Sequence, residues 1–248
     1  GFGGRISCTQ KLSLSFILCS FLHNTEDDHN GGAYKSSEIQ NNGRVDLAFE
    51  QCIFDDNSAA EYGGALCLSL ISSVSIKETT FSNNKCRNQG GAIFIDYSKE
   101  LSSKNSFCYI SSCKFIENKA DLYGNALFIN DIRSDAEYTI ENNTFENNYF
   151  NADSVGYVIV SKEIDIDVSK NHFSNPNSQI RVNPYMNIQK PPFKTPEPLI
   201  VENVFQNEKG EVDTSSFIKN NTEYSLQVTQ EKVTLQGNGN ENLYLQIP

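Results

Sequence analysis

The sequence predicts an all-β chain wound into a parallel β-helix of about seven coils with a C-terminal β cap, and three observations predict it. A Phe-anchored unit returns roughly every thirty residues, at Phe21, Phe54, Phe81, Phe115, Phe145, Phe173 and Phe205, and reads Phe-x-x-Asn at the first five before lapsing to Pro176 and Glu208. The residues ahead of each anchor form apolar columns that alternate with polar ones, the pattern of a strand face. No stretch carries an apolar stripe with the helical period, while Asn, Gly and β-branched residues recur throughout. Repeats of this size without helices stack as turns of a solenoid, each coil contacting only its neighbours.

Seven residues before the anchors stand Leu14, Leu47, Val74, Cys108, Tyr138, Ile166 and Pro198, and five before stand Phe16, Phe49, Ile76, Ile110, Ile140, Val168 and Ile200. These two columns make one face of one strand. Two residues before the anchors come Cys19, Cys52, Thr79, Cys113, Asn143, Asn171 and Asn203. Stacked coils would bring such equivalents to about 4.8 Å from one another. The column therefore reads as an inward ladder of small side chains at a tight corner, with asparagine amides hydrogen-bonded along it.

Three residues after the anchors come Asn24, Asn57, Asn84, Asn118 and Asn148. Asn tolerates the left-handed backbone and bonds within its own turn, so this column marks a bend. The pairs Gly31-Gly32, Gly63-Gly64 and Gly90-Gly91 supply a second bend after a variable loop. A second strand follows, as in GGAIFID from Gly90.

Residues 1–208 are assigned to the coils. Five of the seven prolines fall in 184–198, and proline cannot donate to a strand ladder, so this segment is an excursion from the solenoid. It is either a tolerated insertion or a recognition loop offering Tyr185, Lys190, Phe193 and Lys194. Residues 209–248 alternate cleanly and contain a Gly-Asn-Gly turn, and read as strands capping the last coil.

The chemistry is read against composition. With 31 acidic and 20 basic side chains and a net charge of −11, no basic field neutralises phosphates, so nucleic acid and anionic membrane surfaces are excluded as partners. No apolar run is long enough to insert in a bilayer. The seven cysteines include no CxxC pair, and His23, His29 and His172 complete no ligand spacing. They read as small buried hydrophobes rather than as a metal site, although Cys19 and Cys52 would be neighbours able to cross-link adjacent coils.

Parallel β-helices also host polysaccharide lyases and hydrolases, which need paired carboxylates or calcium on several acidic oxygens. The candidates are Asp27 with Asp28, Asp55 and Asp56 with Glu61, and Asp165 with Asp167. All sit in loops or on a solvated strand face, so no catalytic residue, metal or cofactor is expected. Two Asn-x-Thr sequons, at Asn142 and Asn220, offer glycan acceptors on an exported chain.

The alternation of GGAY at Gly31, GGAL at Gly63, GGAI at Gly90 and the variant GNAL at Gly124 with Phe-x-x-Asn at Phe21, Phe54, Phe81, Phe115 and Phe145 resembles the polymorphic outer membrane protein repeats. These are known from chlamydial autotransporter adhesins and are similar to repeats in surface proteins of some protists. The resemblance covers roughly the first two thirds of the chain and implies a right-handed β-helix shown at a cell surface and used in adhesion. The expected function is thus that of a non-enzymatic cell-surface or extracellular module, whose coil loops bind a protein or glycan on a host or neighbouring surface. The alternatives are a structural protein docked onto neighbouring chains and a pectin-lyase-like polysaccharide enzyme.

Overall fold

The computed structural model describes residues 12–36, 45–69, 73–97, 107–131, 137–148, 157–162, 166–174, 179–183, 199–201, 204–207, 210–213, 224–228, 232–237 and 243–246. Every named element among them is a strand. The strands form four sheets running along a parallel β-solenoid.

The first sheet stacks Leu12–Ile17, Val45–Glu50, Ser73–Lys77, Phe107–Ser111, Glu137–Glu141, Ile166–Ser169 and Leu199–Val201, each parallel to the next. The second stacks Ser20–Leu22, Ile53–Asp55, Thr80–Ser82, Lys114–Ile116, Thr144–Glu146, His172–Ser174 and Val204–Asn207 in the same way. A third sheet of two-residue strands joins Thr25–Glu26, Ser58–Ala59, Lys85–Cys86 and Lys119–Ala120. The fourth joins Tyr34–Lys35, Leu66–Ser69, Ile93–Tyr97, Leu127–Asp131, Tyr157–Lys162 and Gln179–Asn183 in parallel. Four consecutive coils thus contribute to all four sheets.

The pairing turns antiparallel near the C-terminus. Gly210–Asp213 adds to Val204–Asn207, and Tyr224–Val228, Lys232–Gly237 and Leu243–Gln246 extend the fourth sheet beyond Gln179–Asn183.

The core is built from the in-facing columns. Phe54, Phe81, Phe115, Phe145 and Phe173 are fully buried, and Phe21 packs partly buried at the first coil. Their rings stack nearly parallel, with centroids 4.6 Å apart from Phe21 to Phe54 and 4.8 Å from Phe54 to Phe81. That spacing matches the distance between strands, so identical side chains in register fall into offset stacks without further adjustment. Leu47, Phe49, Val74, Ile76, Ile110, Tyr138, Ile140 and Val168 close the core from the first sheet. Leu66, Leu68, Ile93, Ile95, Leu127 and Ile129 close it from the fourth. The side chains of Ile166, Ile200 and Phe205, and all of Pro198, Asn203, Asn220 and the 184–198 segment, lie outside the described residues.

The corners differ in detail from the sequence reading. The bend after each Phe is made by the residue ahead of the asparagine: His23, Asp56, Asn83, Glu117 and Asn147 hold φ between 50° and 56°. The asparagines 24, 57, 84, 118 and 148 instead turn inward, and all but Asn24 are buried. The first corner follows the same rule, with Leu18, Gln51, Glu78, Ser112, Asn142 and Lys170 at φ between 48° and 55°, each just before its ladder residue. Left-handed backbone in such residues costs about 1 kcal/mol. It persists because the same N–H groups keep the ladder between coils: Gln51 N donates to Lys77 O at 3.1 Å and Asp56 N to Ser82 O at 3.0 Å.

A further difference concerns the variable loops. They are not plain connections, because their first residues pair between coils as the third sheet.

Candidate functional site

Two asparagine columns are the main polar features of the interior. Asn57 Nδ2 donates to Asn84 Oδ1 at 2.9 Å and to the Phe21 carbonyl at 3.0 Å, and Asn84 repeats both bonds toward Asn118 and Phe54. At the first corner Cys113 N and Asn143 N donate to the side-chain oxygens of Asn143 and Asn171. Asn143 Nδ2 adds bonds to Asn171 Oδ1 and the Ile110 carbonyl. Cys52 takes the same place with its Sγ–H donating to Phe16 O and Glu50 O, both at 3.3 Å, and Thr79 with its hydroxyl on Lys77 O at 2.8 Å. Amides and thiols here satisfy corner carbonyls, which is a structural task.

The thiols are correspondingly unreactive. Burial pushes Cys67, Cys86 and Cys113 up to about 12, which disfavours the thiolate. Neither Cys19 nor Cys52 is in a disulfide, although they occupy equivalent corner positions in adjacent coils.

The carboxylates singled out from the sequence form no single cluster, and two depart from the loop or solvated-face reading: Asp55 ends the strand Ile53–Asp55 and Asp167 is half-buried. Asp55 accepts bonds from Ser82 Oγ at 2.6 Å and Asn83 Nδ2 at 3.0 Å, which hold its carboxyl below the usual range. Asp56 pairs with His23 Nδ1 at 3.0 Å on an exposed corner. Asp167 lies on the outer face of the first sheet, its carboxyl raised first by burial, and its Oδ1 has no hydrogen-bond partner. Asp165 lies outside the described residues. No group of three or more potential metal-ligating side chains occurs among the described residues. Asn142 is exposed on its left-handed corner.

The loops between the asparagine column and the glycine bend do converge. They line a cavity of about 230 Å³ floored by Ala59 and Cys86, which with Ala120 form a small apolar cluster separate from the main core. Glu26 and Asp27 enter it from the first coil, Ser58 and Ala60 from the second, Lys85 and Arg87 from the third, and Asp121 from the fourth. The backbone N–H of Asp28 donates to Glu26 Oε1 at 3.3 Å and keeps this carboxyl lowered, with His29 adding to the effect.

The Gly-Gly bend sets how close these loops stack. Gly63 has φ 64°, and a Cβ on Gly64 would collide with the Gly91 carbonyl and lie 2.6 Å from Lys85 N in the next coil. In the fourth coil Asn125 takes the second glycine's place and accepts the Ala120 N–H at 3.1 Å.

Sequence reasoning missed a second hydrophobic layer. Cys67, Phe94 and Phe128 are register partners in the fourth sheet, point away from the main core and are still buried, with Tyr62 packed on them. Phe94 and Phe128 stack with centroids 5.6 Å apart. The signal was present in the unbroken apolar runs ALCL, AIFI and ALFI, since a strand covered on both faces does not alternate.

Stacked coils, asparagine ladders and a Phe column define the chain as a parallel β-solenoid repeat protein. Residues 51–69 and 78–96 match the Chlamydia polymorphic membrane protein (Chlamydia_PMP) repeat. Each match runs from the left-handed first corner to the fourth sheet, at Gln51 to Ser69 and Glu78 to Asp96. No curated protein and no solved structure matches the chain.

Proposed function

We propose that this chain is a non-enzymatic, surface-displayed β-solenoid that binds a partner on a host or neighbouring surface through its coil loops. The match to a membrane-protein repeat supports display at a surface. The convergence of loops from four coils on one cavity supports binding there and carries the reading. A rigid stack lets loop sequences vary while the ladders stay in place, which suits recognition. The proposal extends to about seven coils closed by residues 209–248 as a cap, supported by the change to antiparallel pairing near that end.

A second reading, docking onto other chains in an assembly, is favoured by the apolar corner of the first two coils. Ile17, Leu18, Leu22 and Ile53 are 44 to 73% exposed there, where the next coils place Glu50, Gln51 and Asp55 and then Lys77, Glu78 and Ser82.

The test exchanges the loop between Asn57 and Gly63 for a Gly/Ser sequence of equal length and measures binding to cells beside thermal stability. Lost binding with an unchanged melt supports the loop reading. Retained binding that is lost instead on changing Ile17, Leu18 and Leu22 to Ser favours assembly. Turnover of an acidic polysaccharide that disappears on Asp55→Asn/Asp56→Asn would replace both readings with an enzyme.

A further inference from the structure

The loop cavity carries charges of both signs that do not neutralise one another. Glu26 and Asp27 stand at the first coil, Lys85 and Arg87 at the third and Asp121 beyond them at the fourth. Neither base forms an ion pair among the described residues; Glu26 is engaged only with the Asp28 N–H and with His29, whose Nδ1 lies 3.6 Å away. Two coil spacings separate the groups, about 10 Å along the solenoid axis. Between them the floor is small and apolar, Ala59 and Cys86.

Building on the loop-binding reading, we infer that this groove takes an extended, dipolar peptide lying along the solenoid axis. Its basic side chain would sit over Glu26 and Asp27, its acidic one over Lys85 and Arg87, and small residues over Ala59 and Cys86. An extended chain of the polyproline type puts side chains three residues apart on one face at about 9 Å, which fits the charge separation. An anionic glycan is disfavoured because Glu26, Asp27 and Asp121 would repel it. A neutral glycan finds no aromatic ring among the cavity's lining residues on which to stack. Both signs must be met at once, and a peptide does so with two ordinary side chains.

The experiment uses fluorescence anisotropy at low salt with three labelled, end-capped peptides of one length, built on Ala, Pro and Ser. One carries Lys and Asp three residues apart, one carries Lys at both positions and one Asp at both; a sialylated oligosaccharide is the fourth probe. The full chain should bind the Lys/Asp peptide at least about tenfold more tightly than the others, a difference of roughly 1.4 kcal/mol. Lys85→Glu/Arg87→Glu changes exposed side chains, so its melt should be unchanged while its preference moves to the Lys/Lys peptide. Preference of the unaltered chain for a single-sign peptide or for the oligosaccharide, or binding of none, overturns the inference, as does a double variant whose preference does not move. The loop exchange and cell-binding assay, run in parallel, separates the two readings. Loop-dependent cell binding without peptide binding removes this inference alone. Peptide binding without loop-dependent cell binding removes the surface-binding function alone.

Discussion

Asn57 gives two protons to a single oxygen: Asn84 Oδ1 lies 3.1 Å from its backbone N and 2.9 Å from its Nδ2. Asn84 Nδ2 in turn reaches the Phe54 carbonyl at 3.0 Å. Replacing Asn84 by Ala would leave two donors and one acceptor of the coil below without their partner in a dry column. At about 1 to 3 kcal/mol for each orphaned group, Asn84→Ala should cost about 3 kcal/mol or more. The exposed neighbour Asn83, whose side chain bonds Asp55 at the surface and whose φ of 56° suits asparagine better than alanine, should cost about 1 kcal/mol on truncation. Urea denaturation of the two variants checks this contrast, and equal losses would refute the ladder's importance.

The Phe column predicts a second series. Phe81 is buried between Phe54 and Phe115, with centroid distances of 4.8 and 5.0 Å. Phe81→Ala removes a ring from the middle of the stack and should destabilise by about 3 to 5 kcal/mol. Phe81→Leu should recover part of that loss by refilling the space while giving up ring stacking. A near-neutral Phe81→Ala in chemical denaturation would show that the core does not depend on the column.

How far these features were legible depends on how far apart their partners lie. The Phe and aliphatic columns are visible because burial imposes a local period, so Leu47, Phe49 and Phe54 identify themselves within one copy. The ladder role of Asn143 and Asn171 was legible, whereas the asparagines after each Phe were legible as a recurring position but not in role. A turn-forming Asn and a ladder Asn look the same in one copy, and the partner of Asn57 lies 27 residues away. The third sheet was hidden because two-residue strands such as Lys85–Cys86 are too short to show any period. The groove was hidden for a related reason: Glu26 and Lys85 share a wall only once intervening coils have stacked.

Glycine at the second position of the bend has a test of its own. Gly64→Ala would drive a Cβ into the Gly91 carbonyl and toward Lys85 N, both fixed backbone atoms. The coils must then separate locally, and a loss of about 2 kcal/mol or more is expected, within the range seen for overpacking. Asn125→Gly at the equivalent place in the fourth coil removes only the bond from Ala120 N, and should cost about 1 kcal/mol. Thermal melts of the two variants would refute this account of the bend if their order were reversed.

The buried thiols set an alkaline limit. Cys67, Cys86 and Cys113 are raised from 9.0 to about 12 by burial. Above pH 9 the unfolded chain releases these protons while the folded chain holds them, so stability falls as pH rises from about 9 to about 12. Below that window the contribution is constant. Cys67→Ala/Cys86→Ala/Cys113→Ala should be less stable at neutral pH, because of its cavities, but should decline less steeply across the window. Denaturation midpoints at several alkaline pH values measure the slope, and equal slopes in both proteins would refute the assignment.

Leu18 offers a stabilising change. It holds φ 55° and is 73% exposed, so its side chain buries little while its backbone occupies a region disfavoured for leucine. Its N–H already donates to the Glu50 carbonyl at 3.0 Å, a bond that any residue but proline keeps. Asn stands at the equivalent corner of the fifth first-sheet strand, where Asn142 has the same φ of 55°. Leu18→Asn should therefore stabilise by about 0.5 to 1 kcal/mol. Leu18→Val, β-branched and less tolerant of positive φ, should destabilise by about 1 kcal/mol or more. Melting temperatures ranked Asn above Leu above Val would support local backbone strain as the governing term at this corner. A ranking with Leu highest would instead show that its exposed side chain is covered in solution, and would count for the assembly reading of the apolar corner.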